Sequence, residues 1–191
     1  MIMSEGCNGI FVVTAGKEVF IRVVGRGTFQ NSQPLRQHGN EMIQNDFQEF
    51  YIDLARCQGM DSTFLGVLAG FGITLRQGGQ IGHLHILNAD QRNLHSLSTL
   101  GLDRLLQVEP AEPGRPQPPE TEFRKLPGSD AGAPAKSLEK FTAAKLMLDA
   151  HEALCHADER NESKFKDVKD SLRQKISGNG GQPENQNYEP V

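Results

Sequence analysis

Short apolar runs alternate with polar, turn-forming breaks along the first hundred residues, and their spacing switches between the strand and helix periods. Ile10 to Thr14 and Val19 to Val24 are β-branched runs separated by Ala-Gly-Lys-Glu, which predicts a hairpin. Residues 25–32 (GRGTFQNS) read as a loop, with Ser32 capping a helix that holds Pro34 in its first turn and runs to about Asn45. Leu35, Met42 and Ile43 are its apolar contacts. Glu49 to Leu54 is apolar at consecutive positions and predicts an internal strand. Phe64, Leu65, Leu68, Phe71, Ile73 and Leu75 then fall near helical spacing over Thr63 to Gln77, and Gly78-Gly79 stops that helix. His83 to Leu87 predicts another strand. Asp90 caps a helix to about Leu100, Gly101 ends it, and Leu102 to Val108 is a final short segment. The order β-β-α-β-α-β-α-β implies an α/β fold with parallel neighbours in a covered sheet and an antiparallel edge from the first hairpin.

Beyond residue 108 the pattern changes. Residues 109–136 hold seven of the ten prolines, which excludes a helix or a central strand and predicts an extended linker. Its one apolar interruption, Phe123-Arg124-Lys125-Leu126, either docks on a neighbouring surface or stays mobile. Residues 137–176 return to helix. Ser137 is the expected cap, Leu138, Phe141, Lys145, Leu148 and Leu154 form the first face, and the join is Ala157 to Arg160. Asn161 caps a second helix with the stripe Phe165, Val168, Leu172 and Ile176. Two such helices form a helical hairpin that buries little alone, so it is expected to cover its own domain, bind a partner or form a homo-oligomer. Ser177 to Val191 reads as a disordered tail. The expected organisation is therefore a domain over 1–108, a Pro-rich linker over 109–136, a helical hairpin over 137–176 and a tail over 177–191.

Charge narrows the partners. Residues 1–108 carry 8 basic and 9 acidic side chains, 109–136 carry 4 and 5, 137–176 carry 8 and 8, and the tail 0 and 2. No segment has a basic surplus, so direct nucleic-acid binding lacks electrostatic support. No apolar run approaches the ~18 residues a membrane span needs. Met1 to Thr14 lacks the basic and apolar regions of a secretory signal, so a cytoplasmic location is expected. Cys7, Cys57 and Cys155 are odd in number and scattered, which fits reduced thiols.

The chemistry centres on Asp61-Ser62-Thr63. A hydroxyl at a helix N-terminus faces unpaired backbone N–H groups, which favour an added phosphate. An enzyme is not expected: Gly59-Met60-Asp61-Ser62-Thr63 lacks the Gly-x-Ser-x-Gly elbow of a serine nucleophile. His83 and His85 share one strand face and read as structurally satisfied. His151 and Cys155 share a helix face beside His156, but no second cluster completes a metal site, so no metal or cofactor is expected. Cys57, in the loop before Ser62, is a weak candidate oxidant sensor against a buried structural role. Gly25-Arg26-Gly27 lacks the remaining residues of a phosphate loop.

The element order over about residues 8–108, the strand ending in Asp53-Leu54, and Asp61-Ser62 followed by Leu65-Gly66-Val67-Leu68 resemble a STAS domain, most of all the bacterial anti-sigma factor antagonists. The resemblance implies a STAS-type mixed sheet with flanking helices. It also implies a partner, an anti-sigma factor with serine kinase activity, which phosphorylates the serine at the helix start so that the complex dissociates, and a phosphatase that reverses the switch. Carried over by position, Ser62 is the phosphoacceptor with Thr63 as runner-up, and Asp53, Asp61, Ser62, Thr63 and Phe64 lie at the partner surface. Two positions depart from the family pattern: Ala55 stands where Ser follows Asp-Leu, and Phe64 stands where Gly follows the hydroxyl pair. STAS-like domains that act as scaffolds without phosphorylation are the alternative, one that the extra hairpin favours.

Overall fold

In the computed structural model, residues 8–77, 82–109, 118–130 and 140–178 are described. Strands β1 (Gly9–Ala15) and β2 (Glu18–Gly27) form the expected antiparallel hairpin. Helix α1 (Phe29–Gln44), β3 (Glu49–Asp53), β4 (Cys57–Met60), α2 (Ser62–Arg76), β5 (His83–Leu87), α3 (Gln91–Thr99), α4 (Leu102–Leu105) and β6 (Gln107–Val108) follow. A 3-10 turn (Glu120–Glu122), β7 (Arg124–Lys125), α5 (Lys140–Ala157) and α6 (Asn161–Gly178) complete the described chain. The sheet runs β6-β5-β3-β2-β1-β7, with β4 paired to the end of β2. β2, β3, β5 and β6 are parallel neighbours. This is the mixed sheet with flanking helices expected from the alternation of elements.

Strand alternation sorts the sheet into two faces. Ile10, Val19, Ile21, Phe50, Ile52, Leu84 and Ile86 point to the helices and are buried with Leu35, Phe64, Leu68, Phe71 and Leu97. Full burial of each such side chain stabilises the fold by about 1.5–3 kcal/mol. Phe11, Phe20, Val24, Tyr51 and Leu87 point the other way and cluster with Phe123. Both faces of β3 are therefore buried, which is why that strand reads as a continuous apolar run.

Several boundaries differ from the sequence reading. α1 starts at Phe29, not after Ser32, because Thr28 takes the cap position: its backbone N–H donates to Asn31 Oδ1 at 2.8 Å. Ser32 is instead buried inside the helix, its hydroxyl donating to the Thr28 carbonyl at 2.9 Å. β4 forms where the sequence predicts a loop; four residues around Gly59, whose φ is +145, carry no alternation to read. The segment Leu102 to Val108 splits into a helical turn and a two-residue strand. The hairpin strand β1 is not the sheet edge, since β7 pairs with it through Phe11↔Lys125 and Val12↔Arg124. The apolar interruption of the Pro-rich stretch thus docks on the sheet. Ser129 secures it, its hydroxyl accepting from the Ile10 N–H at 3.0 Å and donating to the Leu126 carbonyl at 2.6 Å.

The helical hairpin lies against its own domain. Leu146 and Leu154 of α5 join the core beside α2, while Ala144 and Leu148 pack with Leu172 of α6. Asp149 pairs with Arg36 of α1 at 2.7 Å. Asn161 donates from Nδ2 to the carbonyls of Leu100 at 3.0 Å and Leu154 at 2.8 Å, tying the join to the end of α3. Three expected face residues prove exposed, Phe141, Lys145 and Val168. Along α6, Leu172 is buried and Phe165 and Ile176 are partly buried as expected, while at the remaining position Lys169 is buried in place of Val168, its Nζ paired with Glu162 at 2.6 Å. Ser137, Leu138 and most of the expected tail lie outside the described residues.

Candidate functional site

The N-termini of α1 and α2 converge on one carboxylate. β4 brings Asp61 beside the end of β2, where its N–H donates to the Gly27 carbonyl at 2.9 Å. Asp61 Oδ1 then accepts from the Phe64 N–H at 2.9 Å, capping α2, and Oδ2 accepts from the Phe29 N–H at 2.7 Å, capping α1. Gly27 makes this convergence sterically feasible, since a Cβ there would lie 2.7–2.9 Å from the Phe64 ring. Ser62 is the first residue of α2, next to the positive ends of both helix dipoles.

Ser62 is half-buried, and its hydroxyl meets Nε2 of His151 on α5 at 3.1 Å. His151 Nδ1 lies 2.7 Å from the Met147 carbonyl, which only accepts. In the neutral ring Nδ1 therefore carries the proton, and the Ser62 hydroxyl donates to Nε2. The ring is buried against Phe165, with centroids 4.7 Å apart. A serine hydroxyl donating to a neutral imidazole is the contact that raises nucleophilicity in acyl-transfer enzymes. Here a backbone carbonyl stands where such enzymes place an orienting carboxylate.

The other expected site residues have structural surroundings. Thr63 and Phe64 are buried, Phe64 completely, so in this state neither presents surface to a kinase or a partner. The bulk of Phe64 fills the space above Gly27 instead of widening an exterior contact. Asp53 is 7% exposed and accepts from Arg22 Nε at 2.8 Å, Asn88 Nδ2 at 2.9 Å and the Ala55 N–H at 3.0 Å. Of the five residues expected at a partner surface, only Ser62 and Asp61 are partly open to solvent.

His151 was readable only as one of three candidate metal ligands, and the structure separates them. His151 turns to Ser62, His156 is exposed, and Cys155 is buried beside Lys169. Its role could not be read locally because 89 residues separate it from Ser62. Cys57 opens β4 and is buried; burial pushes its thiol up, away from the thiolate an oxidant sensor needs. Cys7 lies outside the described residues. Among the described residues, no helix is long and apolar enough to cross a membrane.

No protein-family model matches the chain, and no curated protein matches it. Solved structures similar to it include the anti-sigma factor antagonist SpoIIAA in its unphosphorylated form, at 17% identity and a TM-score of 0.45 over 54% of this chain and 89% of that one. A putative anti-sigma factor antagonist from Thermotoga maritima is similar at 15% identity and a TM-score of 0.47, over 51% of this chain and 82% of that one. An anti-sigma factor antagonist from Mycobacterium paratuberculosis is similar at 18% identity and a TM-score of 0.47, over 53% and 85%.

Proposed function

We propose that this chain is a phosphorylation-controlled binding module of the anti-sigma factor antagonist kind and not an enzyme. It binds an anti-sigma factor with serine kinase activity, loses that partner when Ser62 is phosphorylated, and regains it when a phosphatase removes the phosphate. The observation that carries this reading is the position of Ser62: a half-buried hydroxyl at the shared N-terminal end of two helices, beside a buried threonine. A phosphate adds about −1.5 to −2 charges at pH 7. Two helix N-termini favour that charge in the free protein. Pressed against a partner beside Asp61, the same charge is repelled and costly to desolvate. A shift of about 3 kcal/mol in binding changes affinity more than a hundredfold.

The test has two parts. Peptide mass spectrometry on the protein isolated from its own cells should find phosphate on Ser62 and none on Thr63. Calorimetry against the serine kinase co-purified with it should then give Ser62→Ala the wild-type affinity, with Ser62→Asp weaker by more than a hundredfold. Equal affinity for the two variants overturns the switch.

One observation favours a second reading, a scaffold that is never phosphorylated. The Ser62 hydroxyl is already engaged by His151 of the docked hairpin. On that reading, protein from its own cells carries no phosphate and both Ser62 variants keep full partner affinity.

A further inference from the structure

On the sheet face away from the helices, at the strand ends farthest from Ser62, lies a cluster that the proposed switch does not use. Glu49 opens β3 and His83 opens β5, and the two are direct cross-strand partners. His85 follows two residues along, on the same face. Glu49 Oε1 lies 2.9 Å from His83 Nδ1, and Oε2 lies 2.9 Å from His85 Nε2. One ligand atom from each of these three residues falls within 4.8 Å of the others. We propose that Glu49, His83 and His85 form a binding site for a divalent transition-metal ion, zinc foremost.

Three observations carry the site. First, His85 has a carboxylate at each nitrogen, because Nδ1 contacts Glu109 Oε1. With Nδ1 turned to Glu109, Nε2 is the nitrogen that faces Glu49 Oε2, so a cation between Nε2 and Oε2 would be held by both. Carboxylate–histidine–metal order is the usual outer-shell device for fixing the tautomer and aim of a ligating imidazole. Second, the His85 ring is held: it is buried and stacked on Tyr51 with centroids 4.7 Å apart. Third, carboxylates crowd this end of the sheet. Glu18 is the register partner of Glu49 on β2 and accepts from the Tyr51 hydroxyl at 3.2 Å. Like charges directly across strands repel, and a dication offsets them.

Two imidazoles and a carboxylate suit zinc with one position left for water. They also suit other borderline divalent ions, which is why the chemistry commits to an ion class.

The test is titration of the metal-free full chain with Zn²⁺ by calorimetry, and with Co²⁺ by visible absorption. One equivalent should bind. Glu49→Gln and His85→Gln should each weaken binding at least a hundredfold, and Glu109→Gln, which alters the carboxylate at His85 Nδ1, about 10–100-fold. A variant with Cys57→Ser, Cys155→Ser and His151→Gln should bind as wild type does. Circular dichroism without metal checks that each variant folds. Should Glu49→Gln or His85→Gln misfold, zinc-edge X-ray absorption on the wild type decides: two imidazoles and carboxylate oxygen support the site, and sulfur ligation overturns it. Absence of saturable binding, or binding unchanged in folded Glu49→Gln and His85→Gln, also overturns it.

Discussion

The Ser62 hydroxyl donates to His151 Nε2 across 3.1 Å, joining the start of α2 to the middle of α5. His151 is fixed from its other side by the Met147 carbonyl at 2.7 Å. The hairpin is therefore more than an appendage beside the domain, since it touches the one hydroxyl on which the proposed switch depends. Any phosphate on Ser62 must either part this contact or convert it into a bond from imidazolium to a phosphoryl oxygen.

That contact should be measurable by a double-mutant cycle. Ser62→Ala removes a partly buried neutral hydrogen bond and should cost about 0.5–1.5 kcal/mol in urea denaturation. His151→Ala should cost more, because the ring also packs on Phe165. The double variant should fall short of the sum by about 0.5–1.5 kcal/mol. Strict additivity would mean that the hydroxyl and the imidazole do not sense each other in solution.

Gly66 sets how closely α5 approaches α2. A Cβ at Gly66 would run into the Ala150 backbone, 2.6 Å from its carbonyl carbon. Backbone cannot swing aside as a side chain can. Gly66→Ala should gain up to about 1 kcal/mol in helix propensity but lose about 1–3 kcal/mol to overpacking. Hydrogen exchange resolved by peptide should then show faster exchange across α5 and α6, with the β2, β3 and β5 amides unchanged. Uniform acceleration across the sheet would contradict this division.

The core strands and α2 were legible because their apolar periods are local and strong. His83 to Leu87 was read to the residue, and α2 to within one residue at each end. The fates of Asp53, Thr63 and Phe64 were not legible. Which side of an element becomes exterior depends on what packs there, and that was decided by Arg22, by Gly27 and by α5, all distant in sequence. Val168 and Lys169 show the same limit: apolar spacing favoured Val168, but Lys169 is the buried residue, its stem covered while Nζ reaches the exposed Glu162. The Glu49, His83 and His85 cluster needed strand register, which the sequence does not state.

Asp53 should behave as a structural residue. It pairs with Arg22, both side chains are 9% exposed, and the guanidinium lies 4.3 Å from the Phe123 ring centroid. Removing Asp53 leaves the buried Arg22 guanidinium with the exposed carboxylate of Glu120, 3.2 Å from Nη1, in place of a buried partner. Asp53→Ala should therefore destabilise the fold by about 3–5 kcal/mol. Chemical denaturation of the purified variant checks this, and a loss below about 1 kcal/mol would place Asp53 with ordinary surface ion pairs.

Acid should loosen the hairpin through Asp158. This carboxylate accepts from the Arg160 N–H and Nε at 3.0 Å and from Arg160 Nη2 at 2.6 Å, and it also meets Arg104 of α4. These bonds, those from Arg160 first, hold its carboxyl far below the usual range. A depressed folded pKa means that the folded state keeps its carboxylate where the unfolded chain takes up a proton. The stabilisation is thus complete above the unfolded value of about 3.9 and fades as pH falls further. Wild type should exceed Asp158→Asn in thermal midpoint at pH 7, and the gap should narrow steadily below about pH 4. Because Asp158 links the α5–α6 join to α4, hydrogen exchange in acid should rise first in the hairpin. A gap of equal size at pH 7 and pH 3 would show that the Arg104 and Arg160 contacts do not depend on the charge of Asp158.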